Sequence, residues 1–111
     1  MISDKNTTIQ DIKDLVAAFV KEREWEQFHS PKNLSMSIAI EAAELMEIFQ
    51  WSDGCLDDKK IEKVREELAD VVIYCLCMAN VTGIDLATAI KSKVAANALK
   101  YPVEKYKGRY K

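Results

Sequence analysis

Two short acidic pairs are the residues of this chain best suited to chemistry. Glu41 and Glu44 form one pair, Glu67 and Asp70 the other, and each pair lies in an otherwise apolar helical pattern. A spacing of three places both carboxylates of a pair on one helix face. Like charges in apolar surroundings are costly unless a cation lies between them, and Mg²⁺ is usually held by carboxylates together with substrate phosphates. The sequence therefore predicts a helical scaffold that binds a metal ion and meets a phosphorylated substrate.

Four predicted helices position these acids. Apolar spacing and end signals place helix 1 at about Ile9 to Gln27, helix 2 at about Pro31 to Trp51, helix 3 from Asp57–Asp58 to about Thr82, and helix 4 at about Leu86 to Lys100. The short loop between helices 2 and 3 makes them antiparallel neighbours, which brings the acidic pairs face to face. No strand alternation competes, so the predicted fold class is all-α with a four-helix bundle-like core.

Length and composition indicate one small domain. The 111 residues are 49% hydrophobic, and we expect a single domain over 1–111 with its core at about 9–102 and a basic tail at 103–111. A domain of this size is marginal alone, which favours a homo-oligomer. The net charge of −2 gives no indication of a nucleic-acid polymer as partner. Residues 91–111 contain seven Lys or Arg and one acid, a basic end that suits a metal-bound polyphosphate or is simply a solvated tail.

Cysteine and histidine usage narrows the compartment and the type of metal. Three cysteines show neither a disulfide framework nor zinc-ligand spacing, which favours a reducing, cytoplasmic compartment. His29 is the only histidine, so a histidine-rich metal site is excluded. No signal peptide is visible, and the longest apolar run is too short to span a bilayer, so we expect no membrane association.

Aromatic residues share the predicted stripe of the acids. Tyr74 follows Glu67 by seven positions, and Trp51 lies ten positions after Glu41. Such side chains either sandwich a base at the rim of the carboxylates or pack between helices.

Two further groups have both a functional and a structural interpretation. Lys93 and Asn97 lie one turn apart on helix 4, where they could contact a phosphate and a base edge or form a solvated face. Trp25 and Phe28 end helix 1 beside a turn, as a pocket wall or an oligomer contact.

Several blocks, in this order, resemble the MazG-like superfamily of all-α nucleoside triphosphate pyrophosphatases, and within it the dCTP pyrophosphatase branch. The blocks are the stretch from Glu24 to Leu34, Glu41-Ala42-Ala43-Glu44, Phe49-Gln50-Trp51, Glu67-Leu68-Ala69-Asp70 with the following Val71 to Tyr74, and Lys93 through Asn97 to Tyr101-Pro102. The resemblance covers about Ile9 to Pro102, nearly the whole domain.

The resemblance implies a specific activity. It is the Mg²⁺-dependent hydrolysis of a nucleoside triphosphate, with dCTP or a related pyrimidine as the expected substrate, to the monophosphate and pyrophosphate. Mn²⁺ would be a substitute metal. Glu41, Glu44, Glu67 and Asp70 would be the catalytic metal ligands. The implied biological role is cleansing of the nucleotide pool.

The resemblance also implies a substrate pocket and an assembly. The residues that it places around the nucleotide are Trp25, Trp51, Tyr74, Lys93 and Asn97. The assembly would be a dimer or a tetramer built as a dimer of dimers.

Three alternatives remain open at the level of sequence. One is a relative in the same superfamily that acts on dUTP or on phosphoribosyl-ATP. A di-iron carboxylate bundle is a second, although that class requires Glu-x-x-His motifs and neither acidic pair contains a histidine. The third is a non-enzymatic helical interaction module whose acids are surface charges.

Overall fold

The computed structural model of the chain describes residues 1–111, and it contains helices and turns but no strand. The helices, in chain order, are α1 (Ile9–Glu22), a 3₁₀ helix (Trp25–Phe28), α2 (Pro31–Glu47), α3 (Asp58–Thr82), α4 (Leu86–Lys100) and α5 (Val103–Tyr106). The predicted all-α class is confirmed.

Side-chain caps fix where the long helices begin. Thr8 and Asp11 form a reciprocal capping box at the start of α1. Ser30 accepts a hydrogen bond from a backbone N–H of the first turn of α2, and Asp57 and Asp85 do the same for α3 and α4. The predicted starts agree with the observed ones because Thr8, Asp57 and Asp85 are recognisable caps in the sequence and Pro31 favours the first position of a helix.

Two predicted helix ends are wrong. The apolar spacing predicts helix 1 up to Gln27, but α1 ends at Glu22, because the backbone turns into the left-handed region at Glu24 with a φ of 53°. The spacing also predicts helix 2 up to Trp51, but α2 ends at Glu47 and continues as turns. Apolar periodicity carries no information about where a backbone leaves the helical region.

The central helix is α3, which packs against both α1 and α2. The buried cluster takes its members from all three helices: Val16, Val20, Leu34, Leu76 and Cys77. Only 6 of the 111 residues are buried, so the apolar interior of one chain is small.

Helix α4 leaves the bundle. It is bent by 104° from α3, at a junction where Gly83 has a φ of 71°. It has no buried residue and no substantial contact with α1, α2 or α3, although Leu86 at its start packs against the buried cluster. The prediction of a four-helix core is therefore met only in part, because three helices of one chain form it.

No single helix is both long and apolar enough to cross a bilayer. Only α3 and α4 taken together reach that length and composition, across their bend of 104°.

The C-terminal segment is more ordered than its sequence predicts. Residues 103–111 are expected to form a loosely held tail, yet Val103–Tyr106 form the short helix α5. The rings of Tyr101 and Tyr106 meet edge to face with centroids 5.2 Å apart, and Arg109 Nε donates to the carbonyl oxygen of Lys105 at 2.8 Å. Local aromatic and cap contacts of this kind hold a segment without a hydrophobic face.

Candidate metal centre and its surroundings

The α2–α3 hairpin brings the two acidic pairs together. One carboxylate oxygen from each of Glu41, Glu67 and Asp70 lies within 4.8 Å of the other two, and all three residues are half-buried. Glu41 comes from the middle of α2, and the other two come from the middle of α3. The three carboxylates therefore converge on one small volume between two helices.

Glu44 lies at the edge of this group. Its side chain is exposed and its oxygens are outside the tight set of three. It nevertheless influences both neighbouring glutamates, through hydrogen bonding and through repulsion. The fourth predicted ligand thus lies beside the cluster and within electrostatic reach of it.

The cluster holds its protons unusually tightly. The pKa of Glu41 is raised to about 7, first by burial and then by Glu44, Asp70 and Glu67. The pKa of Glu67 is also raised, by burial first and by its acidic neighbours after that. A carboxylate whose charged form is disfavoured in this way is stabilised by a positive partner.

Two carboxylate oxygen atoms of the cluster lack a hydrogen-bond partner. Glu41 Oε2 and Glu67 Oε2 are buried and have no hydrogen-bond partner in the protein. Buried polar atoms are nearly always satisfied, and each exception calls for a proton, a water or an ion. Carboxylate oxygens are the ligands of hard divalent cations, so these residues fit a bound Mg²⁺ or Mn²⁺.

Tyr74 is the predicted aromatic residue that lies beside the acids. It is half-buried, packs against the hydrophobic cluster, and follows Asp70 by one turn of α3. Burial raises the pKa of its phenol, and the nearby carboxylates of Glu41 and Asp70 add to the effect. Tyr74 therefore forms a neutral, aromatic border to the cluster.

Trp51 and Trp25 lie outside the bundle helices. Trp51 is 91% exposed in the turns after α2, so the stripe relation that the sequence predicts between it and Glu41 is wrong, because α2 has already ended. Trp25 opens the 3₁₀ helix, and its ring meets that of Phe19 edge to face at 5.8 Å.

Lys93 and Asn97 are not brought to the acids within one chain. Both are exposed on α4, which makes no substantial contact with the helices that carry the carboxylates. The bend after α3 is the reason, because it directs α4 away from the bundle.

Sequence reasoning missed two lysines next to the carboxylates. A cavity of about 620 Å³ between the end of α2 and the start of α3 has Lys60 and Lys63 in its wall together with Glu44 and Glu67. Their spacing from Glu67, seven and four positions, places them on the same stripe of α3 and could have identified them.

A second cavity lies further along α3. It has a volume of about 350 Å³ and lies between α1, the 3₁₀ helix and α3. Its wall combines apolar Val20 and Cys77 with polar His29 and Asn80. Cys77 follows Tyr74 by one turn, so this cavity is at the opposite end of the acidic cluster from the lysines.

The chain resembles known proteins over most of its length. Residues 36–111 match the MazG-like family. Over 107 residues the chain is 39% identical to dCTP pyrophosphatase 1 of Rattus norvegicus, which covers 91% of this chain and 63% of that protein. Over 101 residues it is 41% identical to dCTP pyrophosphatase 1 of Homo sapiens, which covers 86% of this chain and 59% of that protein. The chain thus spans less than two thirds of the length of these curated relatives.

A solved structure shares the fold. The crystal structure of a pyrophosphatase from Archaeoglobus fulgidus is 38% identical to this chain and superimposes with a TM-score of 0.75. The match covers 92% of this chain and 99% of that one, so most of the fold is common to both.

Proposed function

This chain belongs to the MazG-like family, and we propose on that basis that it hydrolyses a nucleoside triphosphate to the monophosphate and pyrophosphate with Mg²⁺. The observation that carries the proposal is the convergence of Glu41, Glu67 and Asp70, with two buried oxygen atoms that lack a partner. The expected substrate is dCTP or a related pyrimidine nucleotide, as the names of the relatives suggest. The biological role would be removal of unwanted nucleotides from a cytoplasmic pool.

The acidic cluster has a defined part in this reaction. Glu41, Glu67 and Asp70 would hold the ion, with Glu44 beside them as a fourth ligand or as the acceptor of a proton from the attacking water. A bound Mg²⁺ neutralises phosphate charge and makes a water molecule a better nucleophile. The half-buried position of the cluster limits competing water, which strengthens every charge interaction at the reacting phosphate.

The nucleoside would lie toward the second cavity. Tyr74 borders the acids on that side, and the 3₁₀ helix that begins with Trp25 forms part of the cavity's surroundings. Apolar walls with a few polar groups are typical of small-molecule sites. Asn80 donates to the carbonyl oxygen of Lys13 at 3.1 Å, which orients its amide in the cavity wall.

The dimensions of the chain support self-association. Its accessible surface is 9166 Å², whereas a compact monomer of 12.6 kDa has about 6,200 Å². Its radius of gyration is 16.9 Å, against about 13 Å for a compact chain of this length. A second copy would cover the apolar side chains that one chain leaves exposed on α1, α3 and α4, among them Leu15, Phe19, Val72, Ile90 and Val94.

Self-association would also complete the substrate site. Lys93 and Asn97 lie on the detached helix α4, so they reach a carboxylate cluster most directly if that cluster belongs to another copy. We propose a homodimer as the minimal unit, with a dimer of dimers as the larger assembly.

The direct test is a pyrophosphate-release assay with Mg²⁺ across canonical and modified triphosphates and phosphoribosyl-ATP. We expect turnover that disappears with chelator and returns with Mg²⁺ or Mn²⁺, with highest kcat/KM for dCTP or a related pyrimidine. Preference for dUTP or phosphoribosyl-ATP would keep the chemistry and change the substrate. Absence of turnover on the whole panel would leave the chain as a helical interaction module.

A further inference from the structure

The cavity beside the acidic cluster is lined almost entirely by charged side chains. Its wall is formed by Glu44, Glu47, Ile48, Lys60, Lys63, Glu66 and Glu67. Two of these, Glu44 and Glu67, belong to the acidic pairs, so the cavity opens directly onto the proposed metal centre. Its volume of about 620 Å³ leaves room for a ligand as well as solvent.

The two lysines of this cavity have no ion-pair partner. Lys63 is three positions before Glu66 and four before Glu67, spacings at which helical ion pairs normally form. The salt bridges of the structure are nevertheless only Glu22–Arg23 and Glu62–Arg65, so no carboxylate oxygen lies within 4.0 Å of either lysine. Lys60 is also half-buried, which is unusual for a lysine without a partner.

The lysines occupy one end of an ordered stripe on α3. At a rise of about 1.5 Å per residue, Lys63 and Lys60 precede Glu67 by about 6 and 10 Å, and Tyr74 follows it by about 10 Å. Along the helix the order is therefore cationic, acidic, aromatic. A nucleoside triphosphate matches this order when it lies along the helix. Its base then lies at the aromatic end, its reacting phosphate at the acids and its terminal phosphates at the lysines.

We propose that Lys60 and Lys63 bind the terminal phosphates of the substrate, and hence the pyrophosphate that leaves after hydrolysis. The proposal rests on the pyrophosphohydrolase activity proposed above and adds to it the side of the cluster on which the departing group lies. One Mg²⁺ does not balance four carboxylates and a polyphosphate together, and two flexible ammonium groups supply part of the missing positive charge as point charges. This role concerns binding and orientation, and the bond-breaking step remains at the carboxylates.

The test measures binding without turnover. The probes are inorganic pyrophosphate and dCMP, each titrated calorimetrically in Mg²⁺ against the wild type, Lys60→Gln/Lys63→Gln and the control Lys59→Gln. We expect the double variant to raise the Kd of pyrophosphate about fivefold to thirtyfold, from two partly exposed ion pairs. The Kd of dCMP should stay within twofold, because the monophosphate does not reach the lysines. Lys59 is exposed, belongs to the same helix and is absent from the cavity wall, so its variant reports general electrostatics.

Two further measurements separate the outcomes. Lys60→Arg/Lys63→Arg should retain pyrophosphate binding, and circular dichroism should show unchanged helix content in every variant. The inference is overturned if the double glutamine variant binds pyrophosphate within twofold of wild type, or if Lys59→Gln weakens binding equally. A wild-type protein that hydrolyses no triphosphate would instead remove the proposed function, and the role of the lysines with it.

Discussion

At the scale of single residues, the chemistry is concentrated in carboxylates whose burial is unfavourable for their charged form. Glu41 and Glu67 each keep an oxygen atom buried without a partner, next to further negative charge. Burial and like charges both disfavour the ionised form of a carboxylate, so this cluster does not stabilise the fold by itself. The cluster is better understood as a place where folding free energy is lost in order to bind a cation.

The first prediction concerns these ligands. Glu41→Gln, Glu67→Gln and Asp70→Asn should each remove most of the pyrophosphate release, because each deletes a charge that holds the ion. The same changes should raise the melting temperature in chelator, since they relieve repulsion between like charges. Activity is followed by pyrophosphate release and stability by thermal unfolding. Near-wild-type turnover in two of the three variants, with helix content intact, would place the active site elsewhere.

The second prediction is a pH dependence of the metal-free protein. The pKa of Glu41 is about 7 in the folded chain against 4.5 for a free side chain, so between these values the folded state binds more protons than the unfolded state. The free energy of unfolding should therefore fall as pH rises from about 4.5 to 7. Thermal unfolding in chelator at several pH values measures it. Mg²⁺ or the Glu41→Gln change should flatten the slope, and an unchanged slope in that variant would assign the effect to another group.

The third prediction concerns Trp51. Its side chain is 91% exposed, so Trp51→Ala should leave the melting temperature almost unchanged. If the ring stacks on the base, kcat/KM should fall by about 5- to 150-fold through KM, the equivalent of about 1–3 kcal/mol. Steady-state kinetics with dCTP, beside thermal unfolding, separates the two effects. Unchanged kinetics would show that Trp51 does not contact the substrate.

At the scale of elements, the sequence was most informative where chemistry is local. The start of a helix depends on one short polar acceptor directly before it. Residues of this type precede the four long helices: Thr8, Ser30, Asp57 and Asp85. The facing of the two acidic pairs follows from a short connection between two helices. These features need no knowledge of distant contacts.

The ends of the helices and the direction of α4 could not be predicted from the sequence in the same way. The left-handed backbone at Glu24 and the early end of α2 at Glu47 have no periodic signature. Lys93 and Asn97 could be placed on a helix but not in space, because a bend of 104° decides where that helix goes. Lys60 and Lys63 were overlooked for a different reason. A lysine on a helix is normally interpreted as a solvent-exposed side chain, and only the cavity beside these two indicates another role.

The fourth prediction tests whether α4 serves another copy. A variant without metal ligands, Glu41→Gln/Glu67→Gln, and a variant with an altered α4, Lys93→Ala/Asn97→Ala, should both be nearly inactive alone. Subunit exchange at equal concentrations should restore about a quarter of wild-type activity, because half of the dimers then contain one intact composite site. Pyrophosphate release before and after exchange measures it. No recovery, with mixed dimers demonstrated, would mean that each site is built from one chain.

At the scale of the whole molecule, the chain is extended and, for the same reason, buries few of its residues. Only 6 of 111 residues are buried, and the apolar residues Ile90 and Val94, one turn apart on α4, are 51% and 61% exposed. Exposed apolar side chains of this kind suit the self-association proposed above.

The fifth prediction concerns assembly. Sedimentation at micromolar concentration should show a dimer or a tetramer, and Ile90→Asp/Val94→Asp should shift it toward monomer, because charge replaces apolar contact area. The double variant Lys105→Gln/Lys107→Gln is a control for altered surface charge, because both lysines are exposed and both lie outside α4. A wild-type protein that sediments as a compact monomer would contradict the prediction.

If α4 completes the site of another copy, as proposed above, the rate of hydrolysis depends on the amount of protein in a particular way. A site whose parts come from two copies exists only while the copies are together, so the fraction of working sites follows mass action. Near the dissociation constant, doubling the amount of protein then more than doubles the rate of hydrolysis. A cell that makes little of this chain would hold mostly unassembled, idle subunits, and expression level itself would act as a threshold for clearing nucleotides.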